Sequence, residues 1–247
     1  MNQDLRELLQ AWPYDPEHNV RILDLGAGRQ VLQVRLPLGI EQYELDGRPD
    51  GARPHQAESA LEYYRQRLAA HGEPFILEPS ECAELFAEGT LYYFRYLHLF
   101  QVRDWDRVIR DTQRNLSLFD FVHEHARREE DRQQLEQWRP YLLRMHGIAQ
   151  AMREWDAHHH DAALQIVQET TAQIHALPDL DGETFQIERQ RSLEALRELE
   201  NEIRQSRPRS ALQQLEHDLQ KAVEAQDFEQ AAVLRDRIRA LRAGGAP

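Results

Sequence analysis

The segment Leu23–Gly28, Leu-Asp-Leu-Gly-Ala-Gly, places an acidic residue and two glycines at the end of an apolar run. Many nucleotide-binding loops open this way, with free N–H groups at a following helix N-terminus holding the phosphate. That chemistry needs the helix. After Gly28, however, Leu32, Val34 and Leu36 alternate with Gln33 and Arg35. A two-residue period belongs to a half-buried strand. Val20, Ile22 and Asp24 alternate in the same way before the glycines, so the segment reads as a β-hairpin tip where glycine supplies positive φ.

A second candidate is Gly-Arg-Pro-Asp-Gly-Ala-Arg-Pro-His, which gathers Arg48, Asp50, Arg53 and His55. One reading is a contact point for a small anion or a peptide. The other is turn chemistry carrying solvated charges. Elsewhere, His158, His159, His160 and Asp161 invite a metal test. Adjacent histidines on a helix point in different directions, whereas ligands come from positions three or four apart, so a solvated inter-helix turn is the expectation. Cys82 stands alone, which rules out an internal disulfide and a cysteine-built zinc site, and no flanking pattern marks it as a nucleophile. There is no phosphate-binding GxxxxGK[ST] loop, no HExxH and no recognisable Ser-His-Asp pattern. The sequence therefore assigns no catalytic residue, no metal and no cofactor.

These candidates sit in a chain of 247 residues, 41% apolar and 30% charged, with a formal net charge of −13. Such a charge opposes phosphate backbones, and no basic patch offsets it, so direct nucleic-acid contact is not expected. No apolar run approaches membrane-spanning length, and the N-terminal residues lack the pattern of a signal peptide, so the expectation is a soluble cytoplasmic protein without a membrane partner.

The elements that must position the candidates are mostly helices. Ile40, Tyr43 and Leu45 fit either a third strand or a helical turn, and Glu58 or Ser59 opens the first long helix. From there to about Glu202 the apolar spacing is helical, interrupted by the charged stretch His123–Gln134 and by Pro178–Gly182. Tyr93, Leu97 and Phe100 recur as Tyr141, Met145 and Ile148 at an offset of 48, and Val108 and Ile109 as Ala163 and Leu164 at 55. The stretch Leu99–Leu118, with an aromatic near the turn and then a branched residue, resembles a tetratricopeptide repeat. That resemblance implies stacked helix pairs with a concave peptide- or protein-binding surface; an irregular helical bundle fits the pattern as well.

After a linker comes Ser210–Arg242, where Ser210 with Gln213 and Asp227 with Gln230 form capping-box patterns that start two helices. Leu212, Leu215, Leu219 and Val223 make one apolar stripe, and Phe228, Ala231, Leu234, Ile238 and Leu241 the other. The core Phe228-Glu229, Ala231-Ala232, Leu234-Arg235-Asp236 and Ile238 closely resembles the UVR motif, the helical hairpin of UvrB and UvrC that also occurs in Clp-type chaperones and the McsA adaptor. That resemblance implies association with another copy of the motif, through Leu215, Leu219, Val223, Phe228, Ala231, Leu234, Arg235 and Ile238. The physics agrees, because so small a helix pair cannot bury a sufficient core. The whole chain also resembles a group of bacterial proteins of uncharacterised activity that join a GRPDGxRPH loop, a tyrosine-rich helical region and a terminal UVR hairpin. The helicase and nuclease parts of UvrB and UvrC are not in this sequence.

The expected fold is thus mainly α, with a small N-terminal β-hairpin region and loop (1–56), a tetratricopeptide-like helical body (57–205), a linker (206–209) and a UVR two-helix hairpin (210–242). The expected function is a non-catalytic protein–protein interaction or adaptor role, with a homodimer through the hairpin or docking to a UVR-bearing partner. The alternatives are an accessory regulator of nucleotide excision repair acting through UvrB or UvrC, and an enzyme with a site near the Arg48–His55 loop.

Overall fold

The computed structural model describes residues 4–71, 74–206 and 211–244. The chain divides into two compact units, Met1–Ile203 and Arg204–Pro247.

The first unit begins with a short helix, α1 (Arg6–Ala11), and an antiparallel sheet in the order β1 (Val20–Asp24), β2 (Gln30–Leu36), β3 (Gly39–Glu44). Gly26, Ala27 and Gly28 all have positive φ and close the β1–β2 hairpin, so the Gly-x-Gly segment is a turn, as its alternation predicts. The open question at Ile40 and Tyr43 resolves to a strand paired along β2. One expectation is reversed. Alternation puts Leu36 inside and Arg35 outside, yet Arg35 is 5% exposed and Leu36 36%. The reason is local: the Arg35 guanidinium donates to the carbonyls of Trp12 (2.7 Å) and Gly39 (3.3 Å), which draws it under the N-terminal segment.

Leu32, Val34, Tyr43 and Leu45 join the sheet to a helical core built on α2 (Ala60–His71), α3 (Pro79–Gln101), α4 (Trp105–His125) and α6 (Arg139–Asp156). Ser59 caps α2 by accepting from the Glu62 amide at 3.1 Å. The charged stretch after α4 is not a plain break, because it holds α5 (Glu129–Glu136). Its first turn is Glu129, Glu130 and Asp131, where carboxylates favour the positive end of the helix dipole. Pro140 lies in the first turn of α6 and bends nothing.

Helix α4 packs between α3 and α6, and α6 packs on α7 (His160–His175). The matched aromatics Tyr93 and Tyr141 approach with ring centroids 6.1 Å apart. Gly147 permits the close α6–α7 approach, since a Cβ there would lie 2.2 Å from Thr170 Oγ1. A long helix, α8 (Glu183–Ser206), follows and buries Leu196, Leu199 and Ile203 with Ala163, Val167 and Ile174 of α7. The second unit holds α9 (Ala211–Glu224) and α10 (Phe228–Gly244) packed on each other. Among the described residues no helix is long and apolar enough to cross a membrane.

The turns of α3–α4, α6–α7 and α9–α10 are one structure. Each has a single left-handed residue, Arg103, His158 and Gln226. In each, the next amide reaches back to a carbonyl five residues earlier: Asp104 to Leu99 (3.0 Å), His159 to Glu154 (2.8 Å), Asp227 to Ala222 (2.8 Å). Such a left-handed residue ends a helix by satisfying carbonyls that have no partner within it.

Candidate functional site

Helix α3 governs the Arg48–His55 loop. It carries Glu81, Glu84 and Glu88 at positions 0, 3 and 7, which share one side of a helix and here face the loop and α2. Glu88, fully buried, accepts from the amides of Ala60 (2.7 Å) and Leu61 (3.1 Å) and from Arg114. It therefore caps α2 from a distance and takes Arg48 as a further ion-pair partner at 3.6 Å. Asp50, exposed, bonds within its own loop, facing Arg48 at 3.2 Å and accepting from the Ala52 amide at 3.0 Å. His55, at φ 51°, stacks on Tyr63 with centroids 4.1 Å apart and meets Glu84 at 3.0 Å. Tyr64 donates to the same carboxylate at 2.7 Å. Arg53 is exposed.

Below the loop, Arg95 makes a two-pronged ion pair with Asp111, both bonds 2.7 Å, and donates to the carbonyls of Glu44 (2.8 Å) and Gly47 (2.9 Å). Arg110 adds the Leu45 carbonyl at 2.6 Å and Asp46 at 3.0 Å. Burial works against the Glu84 carboxylate, but the hydrogen bonds from Tyr64 and His55 and the nearby Arg48 charge together hold its pKa below the ordinary value. Burial, with the Glu84 bond, pushes the Tyr64 hydroxyl up. Burial likewise raises the Cys82 thiol to about 11, which fits a core side chain more than a nucleophile.

Of the four loop residues singled out from sequence, Arg48, Asp50 and His55 are thus engaged by the protein's own groups. The residues that engage them, Glu84, Glu88, Arg95 and Asp111, are not sequence candidates. Their signal is present all the same: three glutamates at helical spacing on a largely apolar helix, and an arginine between Tyr92 and Tyr96.

The His158–Asp161 segment forms the α6–α7 turn, with His159 bonded to Glu154 at 2.9 Å. Among the described residues, no three or more His, Cys, Asp or Glu side chains form a group that could hold a metal ion.

The α9–α10 hairpin sorts its apolar residues into two sets. Ala222, Ala231 and Leu234 are buried together, with Leu215 and Leu219 packed against them, and Ile238 is buried too. Phe228 is 69% exposed and Val223 51%, and Val233 and Leu241 also face outward. So the eight residues expected to meet a partner divide. Leu215, Leu219, Ala231 and Leu234 form the seam between the two helices, whereas Val223, Phe228 and Arg235 stand outside it, Arg235 beside Asp236 at 3.1 Å. The small Ala222 and Ala231 let the helices approach closely, and Leu215, Leu219 and Leu234 fill the seam beside them. Asp227 caps α10 by accepting from the Gln230 amide at 3.0 Å. Ser210, expected to cap α9, lies outside the described residues. A shallow groove of about 550 Å³ between the helices is lined by Gln214, Leu215, Arg237, Ala240 and Leu241.

No curated protein and no solved structure matches the chain. Residues 209–244 match the family model described as the UvrB/uvrC motif, so the α9–α10 hairpin is a UVR motif carried by this chain.

Proposed function

We propose that the protein is a non-catalytic interaction protein whose UVR hairpin docks onto a second UVR hairpin, its own copy or that of another protein. The observation that carries this reading is Phe228, a large apolar side chain left 69% exposed at the tip of a two-helix unit, outside the seam that Ala222, Ala231, Leu234, Leu215 and Leu219 close. An exposed aromatic beside an exposed Val223 gains roughly 25 cal/mol for each Å² of apolar surface that a partner covers. The loop chemistry supports the non-catalytic part of the reading, since three of its four candidate residues are held by internal contacts. The working compartment in this reading is the cytoplasm, and nucleic acid is reached only through a partner.

Size-exclusion chromatography with light scattering on the full chain and on Phe228→Asp tests the reading. A concentration-dependent rise in mass for the wild type, lost in Phe228→Asp, is the expected result. Monomers in both cases, together with no retention of any UVR-bearing protein on the immobilised chain, would overturn it.

The motif match favours one narrower second reading, regulation of excision repair through UvrB or UvrC. Deletion of the protein would then change ultraviolet survival. Unchanged survival would remove this reading and leave the first in place.

A further inference from the structure

The sheet has two edge strands, and they are not alike. At β3 the following loop folds back over the end of the strand: the Glu44 amide donates to the Pro49 carbonyl at 2.8 Å, and the Glu44 carbonyl accepts from Arg95 at 2.8 Å. At β1 nothing of the kind happens. The Arg35 amide donates to the Asn19 carbonyl at 2.7 Å and the Leu25 amide to the Arg29 carbonyl at 2.9 Å, so the odd-numbered residues of this strand face β2. Backbone groups alternate in an antiparallel pair, which aims the N–H and C=O of Val20, Ile22 and Asp24 away from β2. Among the described residues, no group bonds to any of these three amides or carbonyls.

Exposed sheet edges are normally blunted by proline, lysine or a bulge. Strand β1, Val-Arg-Ile-Leu-Asp, has none of these, and its pairing with β2 is regular. Its apolar side is open as well. Ile22 lies on the face where Leu32 and Val34 are fully buried, yet it is 38% exposed. On the other face Arg21 donates to Gln33 at 2.7 Å and lies 3.9 Å from the centre of the Trp12 ring. Both partners are uncharged, and among the described residues no carboxylate pairs with Arg21. Asp24 is turned to the Gly26 amide at 2.8 Å.

We infer that β1 takes up an extended peptide of another protein as a fourth strand, with an apolar residue beside Ile22 and an acidic residue beside Arg21. The main-chain groups of Val20, Ile22 and Asp24 supply the ladder, and the alternating side chains supply the choice of peptide. Charge selects this occupant over a second copy of β1. Antiparallel self-pairing about Arg21 sets two guanidinium groups opposite each other. Self-pairing about Ile22 sets Leu23 opposite Arg21 and leaves its charge unmatched. The inference makes no use of the UVR hairpin and adds to the interaction role a second contact of a different kind.

Calorimetric titration of the full chain with two short, end-blocked peptides tests it, one alternating valine with glutamate and the other valine with lysine. The glutamate peptide should bind, and the lysine peptide should bind about fivefold more weakly. Arg21→Gln should remove that preference and keep the binding. Ile22→Pro deletes an outward amide while the ladder to β2 keeps its bonds, so it should abolish binding with circular dichroism unchanged. Hydrogen exchange on the wild type serves if the proline variant fails to fold: the peptide should slow the amides of Val20, Ile22 and Asp24 about tenfold and leave those of Leu23 and Leu25 as they were. No binding of either peptide, equal affinity for both, or slowing confined to other amides overturns the inference. So does a Phe228→Asp chain that still doubles its mass and loses the doubling on Ile22→Pro, which would make β1 a self-pairing strand. A failure of the peptide to bind leaves the hairpin's docking role as it stands.

Discussion

The helices beneath the Arg48–His55 loop and the tip of the UVR hairpin invert the usual placement of residues. Under the loop, Glu88, Arg95 and Asp111 are charged yet buried, Glu88 paired with Arg48, and Arg95 with Asp111 and with backbone carbonyls. The hairpin tip is rich in apolar side chains, yet Phe228 and Val223 lie outside. A buried charge is tolerated only when its partners are buried with it, whereas an apolar side chain can stay in water at modest cost while it awaits one. The difference separates a region that the protein needs for its own fold from a region suited to a neighbour.

The largest effect should come from breaking the loop's anchor. Arg95→Ala leaves the Asp111 carboxylate buried without its two-pronged partner and also strips donors from Glu44 and Gly47. A loss of about 3–5 kcal/mol in urea unfolding is expected for an interrupted buried ion pair. A loss below about 1 kcal/mol, the range of exposed pairs, would show the anchor to be ornamental.

A smaller effect should follow the protonation of Glu84. Its pKa is held down in the folded state by Tyr64, His55 and Arg48, so its contribution is present above the unfolded value of about 4.3 and is lost as pH falls through the lower folded value. Glu84→Gln should therefore be less stable than wild type at neutral pH, with the gap closing on acidification below about pH 4. A gap that is independent of pH would mean that shape, not charge, holds His55 in place.

The smallest effect belongs to the hairpin tip. Phe228→Ala should change the unfolding free energy of the chain by no more than about 0.5 kcal/mol, because an exposed side chain has few contacts to lose. The same truncation at Trp105, its buried counterpart, should cost about 3–5 kcal/mol. If the two truncations prove equally harmful in dilute monomer, Phe228 is covered within the chain and the contrast between the regions fails.

Much of the architecture is legible in the residues. The alternation around Gly26 and Gly28 separates a hairpin from a cofactor loop, because a strand on both sides excludes the helix that phosphate binding needs. The offsets of 48 and 55 relate two helix pairs that do lie side by side. The UVR core is readable because its spacing is local, within one helix and its cap. The partners that bury Arg35, Arg95 and Glu88 are not legible, even where spacing hints at burial, since they come from elements far away in the chain: Trp12 for Arg35, Gly47 for Arg95, Ala60 for Glu88. Helix α5 escapes for a different reason. Its charged sequence mimics a break, although its acidic first turn and the local Arg128–Asp131 bond at 2.7 Å mark a helix start.

By itself, then, the sequence determined the local periods: where strands alternate, where helices start and turn, and that Ser210–Arg242 form the UVR hairpin. The tertiary structure decided what those periods could not, namely that Glu88, Arg95 and Asp111 are buried beneath the loop and that the apolar stripes of the hairpin split between a closed seam and an open tip. The physical reason is that periodicity reports on neighbours a turn or two away. Burial depends on what arrives from elsewhere in the chain, and among the described residues Phe228 stays 69% exposed.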